Sequence, residues 1–297
     1  MRRAVLCLGM TMSFTACSFH LSPEDARADL PANIVLDSGS DPLPDLAAGE
    51  RQVGWVRARL AAAAELPTRR AGRRPQILMI HGSPGGWSGY LEYMRRADLL
   101  SRADVIAVAR RGYGAPNAGR ALPNLKAQAA SLYPLLRELA AVGPVLVVGH
   151  SYGGPVAVRM AVDYPDAVAG LVLIAASVDP ELEEWRWFNR LAEWTPVQWI
   201  LPAAWNVSNA EIKPLREDLA RMLPAWSGIR QPVALIHGGK DTLVPIGNAD
   251  FARRSLKQSV TVRDYLYPEE NHFILWERID LLVPILLECL EWPTLRL

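Results

Sequence analysis

Five short apolar runs constrain what this chain can fold into. They are QILMI (76–80), DVIAVA (104–109), PVLVVG (144–149), GLVLIA (170–175) and PVALIH (232–237). None of them alternates apolar with polar residues. An unbroken apolar run of this length, rich in valine, leucine and isoleucine, is the pattern of a strand covered on both faces. Helical patterns lie between and after these runs. NLKAQAASLYPLLRELAAV (124–142) has apolar residues at helical spacing, with Pro134 expected to kink it. GPVAVRMAVDYP (154–165), NADFARRSL and ERIDLLVPILLECL read the same way. Strands alternating with helices predict an α/β fold, a mostly parallel central sheet flanked by helices. RQVGWVRARL (51–60) reads as an early strand and VTVRDYLY (260–267) as the last one.

One segment interrupts the alternation. Residues 179–228 hold Trp185, Trp187, Trp194, Trp199, Trp205 and Trp226, together with NAEIKPLREDLARML, which reads as one helix. The segment is expected to form a small helical cap. Most of its tryptophans are expected to pack the cap onto the body, and one or two to line a pocket. Residues 18–50 are rich in Pro, Asp, Ser and Ala and show little periodicity. They read as a mostly irregular tether. The predicted organisation is therefore a leader over 1–16, a tether over 17–50, a core built from 51–178 and 229–297, and a cap over 179–228. A chain of 297 residues, half of them hydrophobic, suffices for one sizeable domain with an insertion. Its 32 basic residues balance 31 acidic ones and no long basic run occurs, which excludes a nucleic-acid partner.

The segment VGHSYGGP (148–155) places Ser151 between glycines, after an apolar run and before a helical stretch. A sharp strand-to-helix turn of the form G-x-S-x-G lifts a serine hydroxyl clear of the sheet and aims a helix N-terminus at it. Glycines at 149 and 153 suit it, because bulk there would collide with neighbouring elements. A nucleophilic serine needs a base and a group to orient that base. HGGKDTLVP (237–245) puts Asp241 just past the PVALIH run, and EENHFILWE (269–277) puts His272 past the final strand. Asp241 suits the orienting carboxylate, although an aspartate that only caps its loop is also common. Asp179, after the preceding strand, is the second candidate. His81, in IHGSPGG (80–86), is expected to hold its loop by hydrogen bonds rather than to act as base.

In the order Ser151, Asp241, His272, and with HGSPGG, RRGYG, GHSYGGP, HGGKDTLVP and NHF in sequence, the chain from about residue 51 onward resembles the α/β-hydrolase fold family. Within it, the HGxPG loop and helical cap are most similar to the esterase and proline-iminopeptidase branches. Ala109 and Arg111 depart from the DRPGFGxS pattern of many relatives. The resemblance implies a serine hydrolase in which Ser151, Asp241 and His272 form the triad, and the N–H groups of Tyr152 and Ser83 bind the oxyanion. A small-molecule ester is the expected substrate, handled through an acyl-enzyme. An amide-cleaving aminopeptidase, a C–C bond hydrolase and a non-catalytic binding protein on the same fold are the alternatives. A peptidase would need a cap carboxylate to hold the substrate amine, and Glu181, Glu183, Glu184, Glu193 and Glu211 are the candidates. Triad chemistry requires no metal or organic cofactor, and the histidines are not clustered at metal-ligand spacing.

The first residues, MRRAVLCLGMTMSFTACSFHL, resemble a bacterial lipoprotein signal peptide. Arg2 and Arg3 form a positive start, residues 4–16 form an apolar stretch too short to span a membrane, and FTAC ends on Cys17. Phe14 stands where leucine is usual. The resemblance implies cleavage before Cys17, acylation of that cysteine and anchoring in the bacterial envelope. Ser18 at the next position implies the outer membrane, facing the periplasm. An ordinary cleaved signal peptide is the alternative. After cleavage only Cys289 and the acylated Cys17 remain, so no intrachain disulfide is expected.

Overall fold

A computed structural model describes residues 21–42, 51–61, 73–114, 117–185 and 187–296. Eight strands form one sheet: β1 (Ile34–Pro42), β2 (Arg51–Leu60), β3 (Gln76–Ile80), β4 (Asp104–Ala109), β5 (Val145–His150), β6 (Gly170–Ile174), β7 (Val233–Gly238) and β8 (Val262–Tyr267). Their spatial order is β1-β2-β4-β3-β5-β6-β7-β8. The β1–β2 and β2–β4 pairs are antiparallel and every other pair is parallel. All five apolar runs are strands in the parallel part.

The reason they are continuously apolar is visible in the packing. Leu78 and Ile80 of β3 point into one buried cluster, and Ile77 and Met79 into the other, so both faces of the strand meet side chains. One face is covered by α4 (Leu125–Val142) and α5 (Gly153–Asp163), following α1 (Pro23–Ala28) and the one-turn helices α2 (Leu91–Met94) and α3 (Ala97–Leu100) in the chain. The other face is covered by α2, α3 and the C-terminal α12 (Ile279–Cys289), which follows α10 (Gly247–Ser255) and the one-turn α11 (Ile274–Glu277). Pro134 lies inside α4, and the helix runs through it.

Among the described residues, four α-helices lie between β6 and β7: α6 (Trp187–Ala192), α7 (Thr195–Ile200), α8 (Ala203–Ile212) and α9 (Leu215–Met222). The segment expected to be a single helix is split, because Lys213 and Pro214 separate α8 from α9. Lys213 keeps helical backbone, and the break comes at Pro214, which has no N–H to continue the hydrogen-bond ladder. The tryptophans also depart from expectation. Trp226 is 1% exposed and packs edge-on against Phe251, but Trp199 is 82% exposed, and Trp194 and Trp205 are exposed too. Three of the six therefore do not fasten the cap to the body.

A second correction concerns the N-terminal tether. Residues 34–42 form β1, the edge strand, and residues 23–28 form α1. Only IVL of β1 is apolar, with Ile34 and Leu36 buried, because an edge strand needs one covered face and carries polar residues on the other. Residues 1–20, including Cys17, lie outside the described residues.

The strand order reverses around β3. The chain steps from β3 to β4 on one side, then crosses back to β5 on the other. In open parallel sheets such a switch point leaves a crevice outside the carboxyl ends of the two strands. The loops after β3 and β5, which begin at His81 and Ser151, stand over that crevice.

Candidate active site

Ser151 follows β5 directly and has φ of +53°. That left-handed backbone is uncommon for a residue with a side chain and costs about 1–3 kcal/mol unless the surroundings enforce it. Here they do. Ser151 N donates to Ile174 O at 3.0 Å, and Gly154 N donates to Ser151 O at 2.9 Å, opening α5. The turn is also tight enough to need its glycines. A Cβ on Gly149 would meet Gly153 O at 2.4 Å, and a Cβ on Gly153 would meet Ile80 O at 2.2 Å.

The loop after β3 passes over the serine. A Cβ on Gly82 would stand 2.9 Å from Ser151 Cβ and 3.3 Å from its Oγ. Ser83, the next residue, is joined to Pro84 by a cis peptide. Among the described residues, no backbone hydrogen bond engages the N–H of Ser83 or of Tyr152.

Asp241 lies in the loop after β7, its side chain fully buried. Its Oδ2 accepts from His272 Nδ1 at 2.7 Å, and its Oδ1 accepts from the N–H groups of Leu243 and Val244 at 2.9 and 2.8 Å. Burial works against ionisation of this carboxyl, but the imidazoles of His237 and His272 and the Val244 N–H override it. Together they hold Asp241 well below the usual carboxylate range. With Nδ1–H committed to Asp241, the unprotonated nitrogen of a neutral His272 is Nε2, the one able to accept a proton.

His272 is tied to the serine turn through His150. The Nε2–H of His150 donates to His272 O at 3.2 Å, and the two rings lie 5.0 Å apart. Burial first, and then the neighbouring His272, push His150 down to about 3, so it is neutral at physiological pH. Asp179 is elsewhere occupied: its carboxylate accepts from Glu181 N at 2.9 Å, and Asn248 Oδ1 accepts the N–H groups of Val178 and Asp179. It is a turn-forming residue. His81 has both ring nitrogens engaged, Nδ1 donating to Gly82 O at 2.7 Å and Nε2 accepting from Arg110 N at 3.0 Å. Burial, and then Arg110, hold it well below the usual histidine range.

Sequence reading missed a buried ionic cluster beside this loop. Arg110 and Glu211 are both fully buried, with Nη1–Oε1 at 2.8 Å and Nη2–Oε2 at 3.1 Å. The Glu211 carboxylate also accepts from the hydroxyls of Ser83 at 2.8 Å and Tyr113 at 2.7 Å, and from Gln128 Nε2 at 2.6 Å. The Arg110 guanidinium stacks 4.9 Å from the Tyr113 ring centre and 4.8 Å from that of Tyr152. Glu211 is one of the carboxylates expected to suit a substrate amine, but five donors already occupy its two oxygens. Glu181 pairs with Arg216, Glu193 with Lys213, and Glu183 with the Ser177 hydroxyl. The only local signal for the cluster is the pair Arg110–Arg111 directly after an apolar strand.

Comparison with known proteins agrees with this architecture. Residues 77–284 match the model of the alpha/beta hydrolase family. An uncharacterized protein of Mycobacterium tuberculosis is 37% identical over 109 residues, 36% of this chain and 30% of its own length. The chain thus spans about a third of that relative. The pimeloyl-[acyl-carrier protein] methyl ester esterase of Nitrosomonas europaea is 26% identical over 241 residues, 68% of this chain and 90% of that enzyme. Among solved structures, the peroxisomal alpha-beta-hydrolase of Saccharomyces cerevisiae superposes with a TM-score of 0.63 at 16% identity, covering 88% of this chain and 89% of that one. The 2-hydroxy-6-oxo-6-phenylhexa-2,4-dienoate hydrolase of Rhodococcus sp. strain RHA1 gives a TM-score of 0.63 at 15% identity, covering 87% of this chain and all of that one. With the eight-stranded sheet, the serine turn and a family match over most of its length, the chain belongs to the alpha/beta hydrolase family.

Proposed function

We propose that this protein is a serine hydrolase that cleaves a small-molecule carboxylic ester through an acyl-enzyme. The observation that carries the reading is the 2.7 Å contact between Asp241 and His272 Nδ1, together with the strained Ser151 turn that meets His272 through His150. In the first half-reaction, Ser151 Oγ attacks the ester carbonyl carbon and His272 Nε2 takes the hydroxyl proton. The carbonyl electron pair moves onto oxygen, where the N–H groups of Tyr152 and Ser83 stabilise it. Collapse of this intermediate expels the alkoxide, which takes the proton from His272. Water then attacks the acyl-enzyme with His272 again as base, releasing the acid and restoring Ser151. Asp241 orients the imidazole and stabilises its charged form.

An ester rather than an amine-bearing peptide is favoured by the saturated Glu211 carboxylate, which offers no site for a substrate ammonium. Similarity to a methyl ester esterase over two thirds of the chain supports the same direction. The test is hydrolysis of activated esters of rising chain length beside aminoacyl amides, with fluorophosphonate labelling of wild type and Ser151→Ala. Ester turnover and labelling, both abolished in Ser151→Ala, are expected. Equal activity in the two proteins would overturn the assignment. We further infer export and anchoring through acylated Cys17; metabolic palmitate labelling retained in Cys17→Ser would refute it.

A further inference from the structure

Arg110 and Glu211 are far apart in the chain and meet where no solvent reaches. Two fully buried opposite charges are a weak source of stability, since the desolvation of each offsets most of their attraction. Burial opposes the charge on Arg110, and Glu211 beside it overrides that. What distinguishes the pair is where its remaining hydrogen bonds go. Arg110 Nε donates to His81 O at 2.9 Å, and Nη2 donates to Gly82 O at 2.8 Å. Those carbonyls belong to the two residues before Ser83. Glu211 Oε2, from α8 of the cap, holds the Ser83 hydroxyl at 2.8 Å.

Peptide geometry turns this grip into an orientation. The Gly82 carbonyl and the Ser83 N–H share one planar peptide, and in a trans peptide they point in opposite directions. Fixing Gly82 O on Arg110 therefore fixes the direction of the Ser83 N–H. The same peptide starts at Gly82, on which a Cβ would stand 2.9 Å from Ser151 Cβ. We propose that the Arg110–Glu211 pair is a positioning device for oxyanion binding: the cap carboxylate holds Arg110 and the Ser83 hydroxyl, and through them aims the Ser83 N–H. The cap then takes part in catalysis through Glu211 besides enclosing the site. This inference rests on the serine-hydrolase reading above.

The roles predict a specific kinetic signature. Glu211→Gln replaces two acceptor oxygens with one oxygen and an amino group, against five donors. The loop relaxes and the oxyanion contact weakens, while the ground-state contacts of the substrate remain. Ester kinetics are measured on wild type, Glu211→Gln, Ser83→Ala and the double variant, with rates normalised to sites titrated by a fluorophosphonate. Inhibition by a trifluoromethyl ketone, whose adduct carries an oxyanion, is measured in parallel. We expect Glu211→Gln to lower kcat per titrated site about 10- to 100-fold, with KM within about threefold of wild type. The trifluoromethyl ketone Ki should rise with the loss in kcat/KM, and the double variant should be scarcely worse than Glu211→Gln, because both act through one residue.

A kcat within about twofold of wild type, a raised KM at unchanged kcat, or strictly additive losses would overturn the proposal. If Glu211→Gln does not fold, Ser83→Ala and Tyr113→Phe each remove one hydroxyl, with its contacts to Glu211 and to the other hydroxyl, and leave the ion pair intact. An unchanged trifluoromethyl ketone Ki in both would then refute it. Wild type that neither turns over esters nor labels would remove the serine-hydrolase reading and this inference together. Labelled wild type with an unaffected Glu211→Gln would remove this inference alone.

Discussion

Asp241→Asn is the sharpest probe of the site, because the structure dictates how the amide must sit. Asp241 Oδ1 accepts two backbone N–H groups, from Leu243 and Val244, and Oδ2 accepts one from His272. An asparagine can keep the two backbone bonds only by placing its oxygen at the Oδ1 position. The flipped amide would set its own N–H groups against those two donors and leave both unpaired, at about 1–3 kcal/mol each. The amino group therefore faces His272 Nδ1, which must become the acceptor, and the ring proton moves to Nε2. In the proposed mechanism, a base protonated on its working nitrogen cannot receive the Ser151 proton. The loss expected for a wrong tautomer is about 10⁴-fold in kcat, or about 5.5 kcal/mol, with KM little changed.

The assay is steady-state hydrolysis of an activated ester by wild type, Asp241→Asn and Asp179→Asn. The Asp179 variant should stay within a few-fold of wild type, since among the described residues its carboxylate holds the Glu181 N–H alone. An Asp241→Asn enzyme within about tenfold of wild type, or an equal loss in Asp179→Asn, would refute the reasoning. Stability supplies an independent check. Asp241 is held below its unfolded pKa, so its ionisation stabilises the fold above about pH 4. That contribution is lost as pH falls through the folded value. The melting-temperature gap between wild type and Asp241→Asn should be wide at pH 7 and close in acid.

Two further predictions concern the frame around the proposed catalytic residues. His150 titrates near 3 in the fold against 6.5 when exposed, so between those values the unfolded chain binds a proton that the folded chain refuses. Stability should fall as pH drops through this window, by up to about 1.4 kcal/mol per pH unit from this group, and the acid-side slope should flatten in His150→Gln. An unchanged slope would contradict the assignment. Gly153→Ala forces a Cβ to 2.2 Å from Ile80 O and 2.8 Å from His81 O, both backbone atoms of β3 and its loop. Thermal melts should show a loss of about 1–3 kcal/mol or more, and an unchanged melting temperature would rule out the close approach.

Much of this molecule is written in short windows. A strand buried on both faces must be apolar at every position, so β3 to β7 are recognisable from five or six residues each. The serine turn is equally local, because its glycines stand two residues either side of Ser151 for a steric reason that those residues state. Edge strand β1 is a different case. With one face open it carries only three apolar residues in a row before DSGSDP, and composition alone resembles a linker. The split between α8 and α9 is legible in Pro214, although the residues around it are helical in pattern.

The choice between Asp241 and Asp179, the exposure of Trp199 and the fate of Glu211 belong to the folded molecule. Each depends on what stands opposite a side chain, and the opposing group comes from a distant part of the chain. Glu211 reads in sequence as one more charge on a polar helix; in the fold it is buried among donors from Ser83, Arg110, Tyr113 and Gln128. A charge is stable in the interior only when its partners arrive with it. Hydropathy along the chain records the charge, while the partners appear only when the cap and the loops after β3 and β4 come together.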